Sequence, residues 1–277
     1  MEPVLITKAS GEQEPFNEGK LRRSLARSGA PGQVIDDTVE RVISQLQPGM
    51  TTHDIYRLAF RLLKRYRRPV AARYSLKQAI VELGPSGHPF EKLVGEILKS
   101  RGYRVSVAQV VRGHCVNHEV DVVAERDHHR IMVECKFHHQ RGIKVDVKVA
   151  LYIQARFEDV ARAWRDDDGA EQKFNEAWLV SNARLTSDAV RYGECVGLRV
   201  IGWEYPPGGS LPALIEQAGL QPVTALTGLS RAQKKQIVDK GIILCNELSR
   251  GALLDLGLSE RKAAAVLKEL EELCRQT

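Results

Sequence analysis

The sequence predicts an α+β protein of several domains: a β-hairpin with four helices, a central α/β segment, and a small all-α tail. Three observations carry this. Two Gly/Pro-rich breaks, Gly84-Pro85-Ser86-Gly87-His88-Pro89 and Pro206-Pro207-Gly208-Gly209-Ser210, interrupt the patterned sequence. Between them, helical and strand periodicities follow one another as α-β-β-β-α-β-α-β. Outside them, one N-terminal hairpin apart, apolar residues recur at helical spacing. A chain of 277 residues suits two or three compact domains. The boundaries fall at residues 1–84, 85–207 and 208–277.

Composition sets the outer limits. With 43% hydrophobic and 27% charged residues the chain reads as an ordinary globular protein. No uncharged apolar run reaches the roughly 18 residues of a membrane helix. Met1-Glu2-Pro3 carries no basic-then-apolar signal, so a cytoplasmic location without membrane contact is expected. The five cysteines (115, 135, 195, 245 and 274) form no CxxC pair and fit reduced thiols. A net charge of +6 gives mild support to a polyanionic partner. Aromatics at 6% argue against a base-stacking platform for single strands.

In the first segment, Pro3 to Lys8 and Glu12 to Phe16 read as strands around Ala9-Ser10-Gly11. Asn17 is a good N-cap for a helix over 18–28, closed by Gly29. A second helix runs over 34–46 and ends at Pro48-Gly49. Thr51 and Asp54 have capping-box spacing for a third helix over 52–66. Pro69 breaks it, and a fourth spans 70–83. Arg61, Lys64, Arg65, Arg67, Arg68 and Arg73 cluster on the last two helices. They are either a contact for a DNA backbone or a solvated face balanced by carboxylates.

This plan, with Val4-Leu5-Ile6-Thr7-Lys8, Glu14-Pro15-Phe16-Asn17, Lys20-Leu21, Gly49-Met50-Thr51-Thr52 and Ala72-Arg73-Tyr74, resembles the ATP-cone, the regulatory nucleotide-binding domain of ribonucleotide reductases. The resemblance implies an ATP or dATP pocket lined by Ile6, Lys8, Glu14, Asn17, Lys20 and Thr52. Lys8 and Lys20 suit phosphates; Glu14 and Asn17 suit ribose or base. One departure stands out. The family continues after its strand lysine with Arg-Asp-Gly, and here Ala9-Ser10-Gly11 removes a phosphate-pairing guanidinium. Lys77 or Arg73 are the available replacements.

The central segment opens with a helix over 90–99, its stripe made by Phe90, Leu93, Val94, Ile97 and Leu98. A strand over 103–111 follows. Glu119 to Ala124 and Arg130 to Phe137, around the polar turn 125–129, read as a β-hairpin. Alternation puts Glu134 and Lys136 on one face and Cys135 on the other, with Asp121 near them on the partner strand. Two carboxylates and an ammonium among Val, Ile and Met are costly to bury unless something binds them, and a divalent cation is the natural candidate. A helix over 146–164, the loop Asp166-Asp167-Asp168-Gly169, a strand over 177–182, a helix over 186–195 and a strand over 198–203 complete the segment.

That order, with Asp121 and Glu134-Cys135-Lys136 where they fall, resembles the PD-(D/E)xK nuclease fold, closest to Mrr-type restriction endonucleases and Holliday junction resolvases. The fold so implied is restriction-endonuclease-like α/β with a mixed sheet. It implies a homo-oligomeric Mg²⁺ (or Mn²⁺) enzyme acting on double-stranded or branched DNA, leaving a 5′-phosphate and a 3′-hydroxyl. Asp121, Glu134 and the Cys135 carbonyl would hold the metal, since magnesium favours hard oxygen donors. Lys136 would orient or help deprotonate the attacking water. Glu91, matching the family's first-helix glutamate, would hold a metal-bound water or a second metal, with Glu96 a weaker match. Gln154 is placed at the scissile phosphate. A rival set, His114, Cys115, His118, Cys135, His138 and His139, offers zinc-type donors, with Cys135-x-x-His138 at ligand spacing.

The tail reads as short helices over 211–218, 231–240 (capped by Ser230 and Gln233), 242–248, 250–256 and 260–274. Leu256-Gly257-Leu258 has the look of a helix-hairpin-helix turn, which can aim N–H groups at a DNA phosphate. Arg231, Lys234, Lys235, Lys240, Arg261 and Lys262 are its cations. A packing appendage is the plainer reading. The function expected is a Mg²⁺-dependent DNA endonuclease modulated by nucleotide. The alternative is a nucleotide-sensing DNA-binding regulator whose nuclease fold does not cut.

Overall fold

A computed structural model of the chain describes residues 4–8, 10–140, 142–165 and 173–275. Ala9 and the aspartate loop 166–169 lie outside the described residues. The chain divides into two compact units, residues 1–83 with 221–275, and residues 84–220. The last 55 residues of the described chain therefore share a unit with the first domain. Among the described residues there are twelve α-helices, none long and apolar enough to cross a membrane.

β1 (Leu5–Thr7) and β2 (Gln13–Pro15) form an antiparallel hairpin, with Ile6 opposite Glu14. Asn17 caps α1 (Glu18–Arg27) by accepting from the Lys20 N–H. After α2 (Gly32–Ser44), Thr51 and Asp54 form the expected capping box of α3 (Thr52–Tyr66). The fourth helix of the sequence reading is two: α4 (Arg68–Tyr74) and α5 (Leu76–Val81) meet at Ser75, whose hydroxyl bonds the Ala72 carbonyl. A Ser side chain that competes for the helix's own carbonyls is a ready place for such a break.

The second unit begins with α6 (His88–Ser100) and then β3 (Arg104–Arg112), β4 (Asn117–Arg126) and β5 (His129–Lys136). The β4–β5 turn is tighter than the sequence suggests: Asp127 and His128 alone make it, both left-handed (φ 51° and 61°), as a type I′ turn requires. β6 (Lys144–Val145), α7 (Val147–Arg165), β7 (Phe174–Ser181), β8 (Arg184–Leu185), α8 (Ser187–Val196), β9 (Arg199–Ile201) and α9 (Leu211–Ala218) complete it. The five-stranded sheet runs β3-β4-β5-β7-β9. It is antiparallel through β5 and parallel beyond, and β6 and β8 form a small parallel pair. α6 lies against one face, where a Cβ on Gly95 would meet Val105 and Val107 at 3.2 and 3.5 Å. Val160 of α7 packs on the opposite face with Val123 and Met132.

Back in the first unit come α10 (Arg231–Asp239), α11 (Arg250–Leu254) and α12 (Glu260–Cys274). The expected helix over 242–248 is only a single 3-10 turn at Cys245–Glu247. These helices share a core with Ala72 and Ala79 of the first domain. Polar ties join the same segments: Thr224 Oγ1 donates to the Ala79 carbonyl (2.6 Å), Lys64 to the Thr227 carbonyl (3.1 Å), and Arg67 pairs with Glu272 (3.1 Å). Arg73 reaches the Glu272 and Leu273 carbonyls. Much of the basic cluster of α3 and α4 is thus engaged by the tail. In the helix-hairpin-helix-like turn, the N–H groups of Gly257 and Leu258 donate to the Leu254 and Leu253 carbonyls, so neither is presented to a ligand.

Candidate active site

The site forms where the central hairpin splays. β4 and β5 pair from Arg126↔His129 to Val122↔Val133 and then part. On the other side of β4, the ladder with β3 skips one pair, at the level of Asp121, and resumes in the same register. The residue of β3 at that level is Ala108, left-handed at φ 53°, a conformation a non-glycine holds at a cost of about 1–3 kcal/mol. Val120 and Val123, three residues apart, share one core cluster. A strict two-residue alternation would put them on opposite faces, so the alternation breaks at Asp121. That break turns its carboxylate toward β5, where Oδ2 accepts from the Cys135 N–H at 2.6 Å.

Glu134 and Glu91 approach the same carboxylate. Burial pushes the Glu134 carboxyl up to about 7, and the nearby Asp121 charge pushes it further in that direction. Glu91, in the first turn of α6, is raised by burial and then by Asp121, while His88 Nδ1, 3.3 Å from its Oε2, works the other way. Asp121 itself is raised by burial, against which the Cys135 N–H and the Arg156 charge act. Lys136, at the exposed end of β5, lowers both Asp121 and Glu134. The Cys135 thiol is raised far above its ordinary value by burial and the three surrounding carboxyls. Asp121 is therefore within electrostatic reach of Glu91, Glu134 and Lys136, and Glu134 of Lys136.

Gln154 is placed differently. Its amide donates to Glu158, one turn along α7, at 3.0 Å. The residue of α7 that enters the site is Arg156, which the sequence reading missed. Its guanidinium pairs with the Glu134 carboxylate and donates to the Glu119 carbonyl, tying together the two strands just where their ladder ends. Arg156 is buried (9% exposed) among Ala150, Ile153, Val160 and Ala163, its neighbours at helical spacing. A charged residue on the apolar stripe of an amphipathic helix was the available signal.

The chemistry of the donors fits a hard divalent cation. Glu134 and Glu91 are raised by burial and by Asp121, and Asp121 by burial and Glu119, so a bound cation would relieve the cost of ionising them. Magnesium needs only one or two protein carboxylates, completing its shell with water and substrate oxygens. Among the described residues, however, no group of three or more His, Cys, Asp or Glu side chains is arranged to hold a metal. For the rival set, His118 Nε2 lies 2.8 Å from Asp159, the His138 backbone N–H and carbonyl bond the Asn182 side-chain amide, and His139 Nε2 faces the Pro85 carbonyl.

Of the residues assigned to a nucleotide, Lys8, Glu14 and Lys20 form one network. Lys8 pairs with Glu14 (2.9 Å) and Glu12 (3.1 Å), and Lys20 pairs with Glu14 (3.1 Å). Hydrogen bonds from Lys8 and Lys20 hold the Glu14 carboxyl below its ordinary value. Asn17 is occupied as the cap of α1, and Ile6 is buried in the core beneath. A parallel bridge between Thr7 and Thr51 brings the start of α3, and with it Thr52, beside β1. Arg73 is turned to the tail.

Comparison with known proteins agrees with both halves. The ATP cone domain family matches residues 4–80, a restriction endonuclease family of the Mrr catalytic type matches 84–202, and a family described as AF1548-like, C-terminal, matches 222–274. An uncharacterized protein of Archaeoglobus fulgidus is 33% identical over 183 residues, 65% of this chain and 99% of the relative. The crystal structure of a protein of unknown function, AF1548, superposes with a TM-score of 0.54 at 32% identity, covering 68% of this chain and 98% of that one. The chain belongs to the AF1548-like family, and in it an ATP-cone domain and a restriction-endonuclease domain are joined in one polypeptide.

Proposed function

We propose that the protein is a Mg²⁺- or Mn²⁺-dependent DNA endonuclease whose cutting is modulated by ATP or dATP at its first domain. The observation that carries this reading is the cluster of Asp121 and Glu134 with Lys136 at the mouth of a splayed hairpin. Asp121, Glu134 and the Cys135 carbonyl would hold the cation, which when bound polarises the phosphodiester and its attacking water. Lys136 orients that water and steadies developing charge; Glu91 accepts a proton or holds a water on the α6 side. Arg156 keeps Glu134 directed at the site and must share it with the cation. In the first domain, nucleotide phosphates would take Lys8 and Lys20 from Glu14, releasing that carboxylate toward ribose or base.

The test is cleavage of supercoiled and four-way DNA with Mg²⁺ or Mn²⁺, with and without ATP, against Asp121→Ala. Nicking lost in the variant is expected; equal nicking by both removes the assignment. A second reading, a nucleotide-sensing DNA-binding regulator that does not cut, is favoured by one observation: the Arg156–Glu134 pair occupies a position the cation needs. Tight DNA binding with no cleavage under any divalent ion would select it.

A further inference from the structure

Two of the five cysteines are neighbours in space. Cys245 opens the 3-10 turn between α10 and α11, and Cys274 is the last residue of α12. Both belong to the core of the first unit, α12 packs against the turn that Cys245 opens, and each thiol shifts the other's titration. Cys245 is wholly buried, its Sγ 3.5 Å from the Pro222 carbonyl and its N–H bonded to the Gln221 carbonyl. Cys274 is half-buried, and the Gln221 backbone N–H acts to lower its thiol. The guanidinium of Arg73, bonded to the Glu272 and Leu273 carbonyls, adds positive charge beside it. These contacts bring the Cys274 thiol down to about 7, Cys245 being the largest influence. A partly exposed sulfur whose thiol is lowered is the better nucleophile; a buried thiol in the same core is a resolving partner. Both are reduced here.

We propose that Cys274 and Cys245 are a redox-active dithiol that a hydroperoxide converts to an intramolecular disulfide. The Cys274 thiolate attacks the outer peroxide oxygen, the O–O bond breaks, and the alkoxide or hydroxide leaves with a proton. The Cys274 sulfenic acid so formed is attacked by the Cys245 sulfur. The S–S bond forms, the S–O bond breaks, and hydroxide departs with the Cys245 proton as water. In sum, two thiols and one hydroperoxide give one disulfide, one alcohol or water from the peroxide, and one further water. The bond closes a loop holding α11 and α12. Glu269 and Glu272 on α12 face Arg68 and Arg67 of the first domain, so oxidation stiffens the segment that carries these pairs.

The test uses the full chain, fully reduced and then treated with hydrogen peroxide. Free thiols should fall from five to three, and peptide mapping should find Cys245 joined to Cys274. The first unit should melt several degrees higher, an effect a dithiol reductant reverses. In Cys245→Ser the same treatment should leave Cys274 as a sulfenic acid that a cyclic diketone traps. Disulfides formed only between chains or with Cys115 or Cys195 would overturn the proposal. So would Cys274 reacting no faster than exposed Cys195 in the wild-type protein, a measurement that needs no variant to fold.

Discussion

Replacing Glu134 with glutamine removes one titrating group and leaves the shape almost unchanged. In the native protein this carboxyl sits near 7 against an ordinary value of 4.5, a rise of 2.5 units. At 1.36 kcal/mol per unit, the native state binds that proton more tightly by about 3 kcal/mol. The sign follows from the rise. Stability contributed by protonated Glu134 is complete below pH 4.5 and is lost as pH climbs through 7. Glu134→Gln carries no such loss. Without metal, its stability relative to wild type should therefore increase by about 3 kcal/mol between pH 4 and pH 8. The charge pairing with Arg156, which holds the rise down to about 7, is already contained in that value. All three tryptophans (Trp164, Trp178 and Trp203) belong to the unit that holds the site. Urea unfolding followed by tryptophan fluorescence in EDTA, at pH steps from 4 to 8, thus reports that unit. A stability difference that changes by less than about 1 kcal/mol over the range would refute the electrostatic argument.

Other perturbations test separate parts. Gly113→Ala should destabilise the restriction-endonuclease-like unit by about 1–3 kcal/mol, because a Cβ there collides with the Asp159 carboxylate and the Val116 carbonyl. Equal urea midpoints would show that the turn can shift aside. Glu269→Ala should cost about 3 kcal/mol locally: the buried carboxylate accepts from Thr227 N–H (2.5 Å) and Gly228 N–H (2.9 Å). Faster amide exchange at residues 227–228 is the expected readout, and unchanged protection contradicts it. Lys8→Ala should reduce the calorimetric heat of ATP or dATP binding at least tenfold in affinity, about 1.4 kcal/mol. Undiminished binding places the nucleotide elsewhere.

The legibility of the fold in the sequence tracks how local each signal is. Asn17, the Thr51–Asp54 box, the Ser230–Gln233 box and Ser259 before α12 mark helix starts because a cap acts within three or four residues. The succession of main elements in the restriction-endonuclease-like unit is equally readable, since β-rich and helical periods alternate within short windows. Of the candidate site, the sequence displays the part that lies within one hairpin. Asp121, Glu134 and Lys136 share one hairpin and announce themselves by spacing. Gln154 was drawn from the next helix by resemblance, whereas rotation along α7 delivers Arg156.

What the sequence by itself determined is the set of elements and the chemical kind of the hairpin's acids, both properties of contiguous residues. Tertiary structure alone decided three other things. It broke the alternation of β4 at Asp121, it set Arg156 on Glu134, and it packed the tail's helices on the first domain so that Cys245 met Cys274. Each depends on groups more than ten residues apart. Their meeting is fixed by how apolar faces are buried together, and no local pattern records that.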